Sequence, residues 1–296
     1  MDVVGFGENS IDYIYRLPAL PVAGIGKLHV NSRSIRPGGQ VATTMAACAA
    51  LGLSASYVGT IGNDDGGRLV REQLMVRGVD VRHVIVRPAP TRYAAILVDE
   101  RHGERIVLWD RDERLAVPAL DIRSEWIAGA RLLHVDQTDE AASTALARVA
   151  RAAGVIVTSD IEAVTPQTEA LLEAVSVPIF AEQTPSALTG EADAERALRK
   201  LRARHKGMLV VTLGALGAML LDGDDLHVEP AFPVKAVDTT GAGDVFRAGF
   251  IFGLLNRMTP GDTLRFACAA AAIACSRPGA MESVPTRDEV AGLMGG

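Results

Sequence analysis

The chain has 296 residues, 48% of them hydrophobic and 22% charged, which is the make-up of a globular protein with a substantial core and excludes a disordered or fibrous one. A formal net charge of -6 and a pI near 5.6 leave no basic stripe for a phosphate backbone, so nucleic acid is not an expected partner. No apolar run approaches the roughly 20 residues of a membrane span and the opening MDVVGFGENSIDY has no basic leader region, so the expectation is a cytoplasmic protein without a membrane partner.

In chain order, strand-like runs are expected at 3–7, 56–61, 131–136, 155–160, 178–182, 208–213 and 218–221. Helix-like runs alternate with them at 41–51, 67–77, 140–153, 191–204, 245–257 and 260–276. This alternation predicts a mostly parallel sheet with helices on both faces. Two segments interrupt it, 11–35 and 91–109, and both read as short amphipathic strands, for example 93–98 and 105–109 around a turn at 100–103. Together they would make one small sheet projecting from a single domain spanning 1–296. Such a sheet has an open face that must meet a ligand below it or a second subunit beside it. Cys48, Cys268 and Cys275 lie in Ala-rich stretches without zinc spacing and are expected to be reduced and buried. The histidines show no metal-site spacing.

The segment 238–244 reads DTTGAGD and opens the apolar run VFRAGFIFGLL. Small residues at a helix start leave backbone N–H groups unpaired, and the aligned peptide dipoles put partial positive charge there. Gly241, Ala242 and Gly243 would let a phosphate approach the main chain, with the carboxylate of Asp244 in the same turn. A fixed negative side chain beside a phosphate makes chemical sense if it takes a proton from the group attacking that phosphate.

Weaker signals accompany this one. Gly38 and Gly39 stand between an extended segment and a helix, where they would permit a hinge or a close approach of ligand hydroxyls; a turn and helix start explain them equally well. The run 212–217, TLGALG, leaves an apolar strand where open α/β sheets place nucleotides, and by itself is better read as a tight turn. Asp12, just past the first strand, would accept hydrogen bonds from sugar hydroxyls or stand as a solvated loop acid. Gly5 and Gly7 lack the third glycine and prompt helix of a dinucleotide-binding turn, which excludes a Rossmann dehydrogenase. The last long helix runs out through CSRPGA, with a glycine expected at its C-terminal cap.

In this order the pieces resemble the ribokinase-like (PfkB) carbohydrate kinase family across nearly the whole chain. The resemblance is carried by VDTTGAGDVF at 237–246, PGGQVATTMAACAALG at 37–52, VGTIGNDDGG at 58–67, RGVDV at 77–81 and TLGALG at 212–217. It implies a ribokinase-like three-layer α/β/α sandwich with a small β-sheet lid, and ATP-dependent phosphorylation of a sugar alcohol group. It also implies Asp244 as catalytic base and the amides of Gly241, Ala242, Gly243 and Asp244 as anion hole. Asp12, Gly38 and Gly39 match the sugar side, Thr43 stands where members often carry a sugar-contacting Asn, and Thr212, Gly214 and Gly217, with Gly241 and Gly243, match the nucleotide side. Asp136, near the expected mouth, is a further candidate on the sugar side. Asp238, Thr240, Ala274, Gly279 and Ser283 match a potassium site. A magnesium ion accompanies the ATP, yet the family's Asn-x-x-Glu motif is missing from the matching segment at 180–184, where Glu182 is the nearest acid. The segments 103–110 and 231–243 look similar to the ketohexokinase branch, which tilts the acceptor toward a ketose or related hexose.

The expected partners are thus a small sugar, ATP and a second copy of the chain joined through the lid. A nucleoside kinase would need aromatic or apolar walls for a base, and the chain has 4% aromatic residues. A sugar or nucleotide sensor that has lost activity fits the missing Asn-x-x-Glu and not the intact Asp244. Arg92, Arg105, Trp109 and Arg111 fall in or near the lid, where an arginine would recognise an acidic sugar.

Overall fold

The computed structural model describes every residue except Ala23, Ile25, Gly103 and Gly296, so Gly103 of the expected lid turn lies outside the described residues. Its strands are β1 (Val3–Phe6), β2 (Ser10–Leu17), β3 (Ser32–Gly38), β4 (Ala55–Val58), β5 (Thr60–Gly62), β6 (Ile85–Arg87), β7 (Tyr93–Asp99), β8 (Arg105–Asp110), β9 (Leu132–Val135), β10 (Ile156–Ile161), β11 (Val177–Phe180), β12 (Leu209–Thr212), β13 (Ala218–Asp222) and β14 (Asp225–Glu229). The helices are α1 (Gln40–Ala50), α2 (Asp65–Val76), α3 (Glu140–Ala152), α4 (Thr168–Ala174), α5 (Thr184–Thr189), α6 (Ala194–Arg202), α7 (Ala242–Leu255), α8 (Pro260–Cys275) and α9 (Arg287–Gly295).

Along β1 every residue is buried, Val3 in one apolar cluster and Val4 and Phe6 in the other, as a strand covered on both faces requires. The main sheet has eight strands in the order β14-β13-β12-β11-β10-β9-β1-β4, parallel from β4 to β12 and antiparallel beyond. One face packs on α1, α2, α7 and α8 through residues such as Met45, Leu74, Ile251 and Ala270. The other packs on α3, α4 and α6 through Leu146, Leu171 and Leu198. From β1 the chain goes to β4 on one side and then to β9 on the other, so the strand order reverses at β1. A crevice therefore opens at the carboxyl ends of β1 and β9, where parallel sheets bind ligands.

The lid is a separate four-stranded sheet in the order β3-β2-β7-β8. In it β2 pairs antiparallel with β3 and parallel with β7, and β8 closes as a hairpin on β7.

Some expectations needed correction. The strand expected at 56–61 is two: the ladder with β1 ends at Phe6–Val58, and β5 then turns away to pair with β6. The helix expected from 191 begins at Ala194 because Asp193 caps it, accepting the Arg196 N–H at 2.9 Å. The last long helix ends on Ser276 in a right-handed conformation, and Gly279 lies three residues further on, so glycine is not its cap. Cys48 and Cys268 are buried free thiols, whereas Cys275 is half-buried. No described helix is long and apolar enough to cross a membrane.

Candidate active site

The first turn of α7 is built around Gly241, whose φ of 76° lies in the left-handed region that a side chain resists. No side chain caps this helix. The Ala242 N–H bonds back to the Thr239 carbonyl at 3.3 Å, which leaves the N–H groups of Gly241, Gly243 and Asp244 without a backbone acceptor among the described residues. The expected four-amide cluster is thus a three-amide one. With the helix dipole behind them, these donors form an anion site.

Asp244 lies in this turn, partly exposed. Burial raises its carboxyl well above the ordinary value, opposed by the guanidinium of Arg247 and reinforced by Asp160, Glu162 and Glu8. Arg247 forms a buried ion pair with Asp160 at the end of β10, both side chains almost wholly shielded from solvent. A lone charge inside the apolar run of α7 requires such a partner. Burial likewise raises Asp160, against the pull of Arg247.

The acceptor side adjoins this turn. The Thr43 hydroxyl is buried without a hydrogen bond among the described residues, and its methyl would stand 3.4 Å from a Cβ placed on Gly241. Thr44 donates to the Asp244 carbonyl at 3.3 Å, tying α1 to α7. Gly39 (φ 96°) passes so close to Asn9 that a Cβ would lie 2.8 Å from its backbone nitrogen. Asp12 is buried under the lid, accepts the Ser10 hydroxyl at 2.9 Å, and has an oxygen 2.5 Å from where a Gly38 Cβ would be. Burial raises its pKa, against Ser10 and Arg92.

Asp136 is fully buried at the end of β9 and accepts the N–H groups of Glu8 at 2.7 Å and Thr138 at 2.9 Å. Burial pushes it up to about 6 against those donors. Glu8 pairs with Arg92 at 2.9 Å and is itself pushed up by burial to about 7. Arg111 pairs with Asp139 at 2.8 Å. The space walled by Glu8, Asn9, Arg92 and Arg111 measures only 10 Å³, room for about one water. Arg92 and Arg111 are therefore neutralised wall residues.

On the other side of the anion site a cleft of 530 Å³ has Thr212, Gly214 and Gly217 on one wall and Ala242, Gly243 and Phe246 on the opposite one. Its volume suits a nucleotide. A cavity of 550 Å³ between Arg82–Arg87 and Leu120–Trp126 holds none of the expected site residues.

Of the five residues expected around potassium, Asp238 and Thr240 precede α7, Ala274 is in the last turn of α8, and Gly279 and Ser283 follow that helix. Asp238 accepts the N–H of Thr240 through one oxygen and of Gly279 through the other, both at 3.0 Å. Burial opposes its ionisation, but those donors outweigh it and hold the carboxyl below its ordinary value. Ser283 donates to the Ala280 carbonyl at 2.8 Å. The Ala274 carbonyl accepts the cap N–H of Ser276, and the Thr240 hydroxyl accepts from Arg105 at 3.2 Å. Most of this donor set is spent within these segments.

The structure thus brings Asp12, Gly38, Gly39 and Thr43 to one side of the Asp244 turn, and Thr212, Gly214 and Gly217 to the other. Glu182 is exposed and makes no described ion pair. The sequence reading missed Glu8, Asp160 and Arg247. For the last of these the signal was available as the lone charge in VFRAGF.

Known proteins align with this geometry. The model of the pfkB family carbohydrate kinases matches residues 1–287. An ATP-dependent ribose-1-phosphate kinase of Halopiger xanaduensis is 34% identical over 298 residues, covering 99% of this chain and 97% of that protein. A ribokinase of Haemophilus influenzae is 28% identical, covering 96% and 95%. Among solved structures, Arabidopsis thaliana ribokinase complexed with ribose and ATP superposes with a TM-score of 0.87 at 26% identity, covering 99% of this chain and 98% of that one. By the match of the family model over residues 1–287, the chain belongs to the pfkB family of carbohydrate kinases, phosphotransferases with an alcohol group as acceptor.

Proposed function

We propose that this chain transfers the γ-phosphoryl group of ATP to a hydroxyl of a small sugar, with Asp244 as general base. The observation that carries this reading is the juxtaposition of Asp244 with three free amides in the first turn of α7, beside a nucleotide-sized cleft and within reach of Thr43 on α1. Phosphoryl transfer needs positioning and charge stabilisation more than covalent chemistry. The nucleotide's tail lies along Gly214–Gly217 and ends at the amides of Gly241, Gly243 and Asp244. Asp12 and Thr43 orient the acceptor, and Asp136 fixes the floor beneath it by holding the Glu8 and Thr138 amides. Burial raises the Asp244 carboxyl and makes it a stronger base than a solvated aspartate, while the guanidinium of Arg247 works the other way and favours its ionised form.

Magnesium bound with ATP would supply neutralising charge at the β- and γ-oxygens. Glu162, whose charge acts on Asp244, is the acid that would meet that ion through water in place of the missing Asn-x-x-Glu. The assembly in this reading is a cytoplasmic homodimer joined through the lid, whose β8 exposes Leu108 and Trp109 to 55% and 64%.

Asp244→Asn should lower kcat by about two orders of magnitude or more while ATP and sugar still bind, read by ATP consumption and by ligand-induced shifts in Tm. Near-normal turnover in this variant would remove Asp244 from the chemistry.

A further inference from the structure

Four lid arginines, Arg16, Arg33, Arg36 and Arg105, form no ion pair among the described residues, in contrast to Arg92, Arg111 and Arg247. Arg16 and Arg33 lie toward the far ends of β2 and β3, away from Asp12 and Gly38. Arg105 is exposed and donates to the Thr240 hydroxyl beside the anion site, which accounts for it on the nucleotide side. Arg36 is different. It is half-buried, and antiparallel pairing places it directly opposite Asp12, so both side chains leave the same, inward face of the lid. Its guanidinium reaches across to the loop at Gly279, where a Cβ would collide with it. The next residue, Ala280, has its Cα 2.9 Å from a Cβ placed on Gly241. Arg36 therefore spans from the acceptor carboxylate Asp12 to the loop backing the anion site. Glu282 approaches the same face of Gly279 without forming an ion pair with it.

Glu282 stands near the Arg36 guanidinium without pairing directly with it, so the planar fork keeps donors that suit an oxyanion. Neutral hydroxyls do not need it: Asp12, Thr43 and the half-buried backbone at Gly39 already offer what a neutral sugar requires. We propose that the acceptor is an anionic carbohydrate, a sugar phosphate or a sugar acid, whose oxyanion is held by Arg36 on the inner face of the lid. This rests on the kinase reading above and narrows its substrate class.

The test measures ATP consumption with matched acceptors, neutral against anionic: ribose against ribose 1-phosphate and ribose 5-phosphate, fructose against fructose 6-phosphate, glucose against gluconate. The expected result is a kcat/KM about tenfold or more higher for the anionic member of at least one pair. The phosphate and acid arms show which oxyanion fits. Arg36→Gln should raise KM for that acceptor about ten- to hundredfold, leave the KM for ATP unchanged, and keep the ATP-induced Tm shift that reports a folded protein. Arg36→Lys should restore part of the loss. Neutral sugars used as well as or better than their anionic mates would overturn the inference and leave the kinase standing. A fall in kcat with every acceptor alike would also overturn it, assigning Arg36 to the transferred phosphoryl group. ATP consumption with no acceptor of either kind would sink the kinase reading and this inference together.

Discussion

At the scale of single residues, the site is an arrangement of buried charges whose partners decide their states. Asp244 is raised by burial and lowered by Arg247, so the ionised base is present only above its folded pKa, and kcat/KM should rise with pH through it. Arg247→Met alone strands Asp160 in the core at a cost of about 3–5 kcal/mol, so the informative variant is Arg247→Met combined with Asp160→Asn. Losing Arg247 moves the acidic limb to higher pH, and losing the Asp160 charge moves it back in part, so the double variant should show a smaller, net upward shift. A downward shift in a folded double variant would overturn the role given to Arg247. The sequence made Asp244 legible because its anion site is contiguous with it. The ion pair beneath was not legible, since its two members are 87 residues apart and meet only once β10 and α7 are packed.

Among the elements, long apolar α7 and α8 and the alternating strands of the lid could be read from their periods, because each buries a whole face. Helices α4 and α5, of 7 and 6 residues, carry too few turns for a period to show, and β5 is only three residues long. What positions the chemistry is the start of α7, and it depends on backbone shape more than on side chains. Gly241→Val places a β-branched residue at φ 76° and sets its Cβ 2.9 Å from the Ala280 Cα. The left-handed conformation alone costs about 1–2 kcal/mol. The variant should therefore lose stability by at least that amount in denaturant unfolding, and lose ATP affinity as the amides turn away. Full ATP binding, measured by calorimetry, would mean that the phosphate lies elsewhere.

For the whole molecule, the lid faces two ways. Its inner face carries Asp12 and Arg36, while Tyr93, Leu108 and Ile35 remain 40%, 55% and 43% exposed at the edge of the main body. The pairing of β7 with β8 sets Leu108 opposite Ala95, and that of β2 with β3 sets Ile35 opposite Tyr13. On this face Ile11 is buried and Tyr13 packs on the core, while Ile35, Tyr93 and Leu108 stay exposed beyond them, an arrangement that a self-complementary contact would bury. A second copy would also brace each lid over its own Asp244 and limit water entry during transfer. Leu108→Glu introduces a charge on that face at the edge strand β8. Light scattering should give twice the chain mass for the wild type and a single chain mass for the variant. With the lid unbraced, turnover should fall and ATP hydrolysis without acceptor should rise, although Leu108 touches neither ligand. A wild type of single-chain mass at working concentrations would remove the partner from the mechanism and leave each lid to close alone.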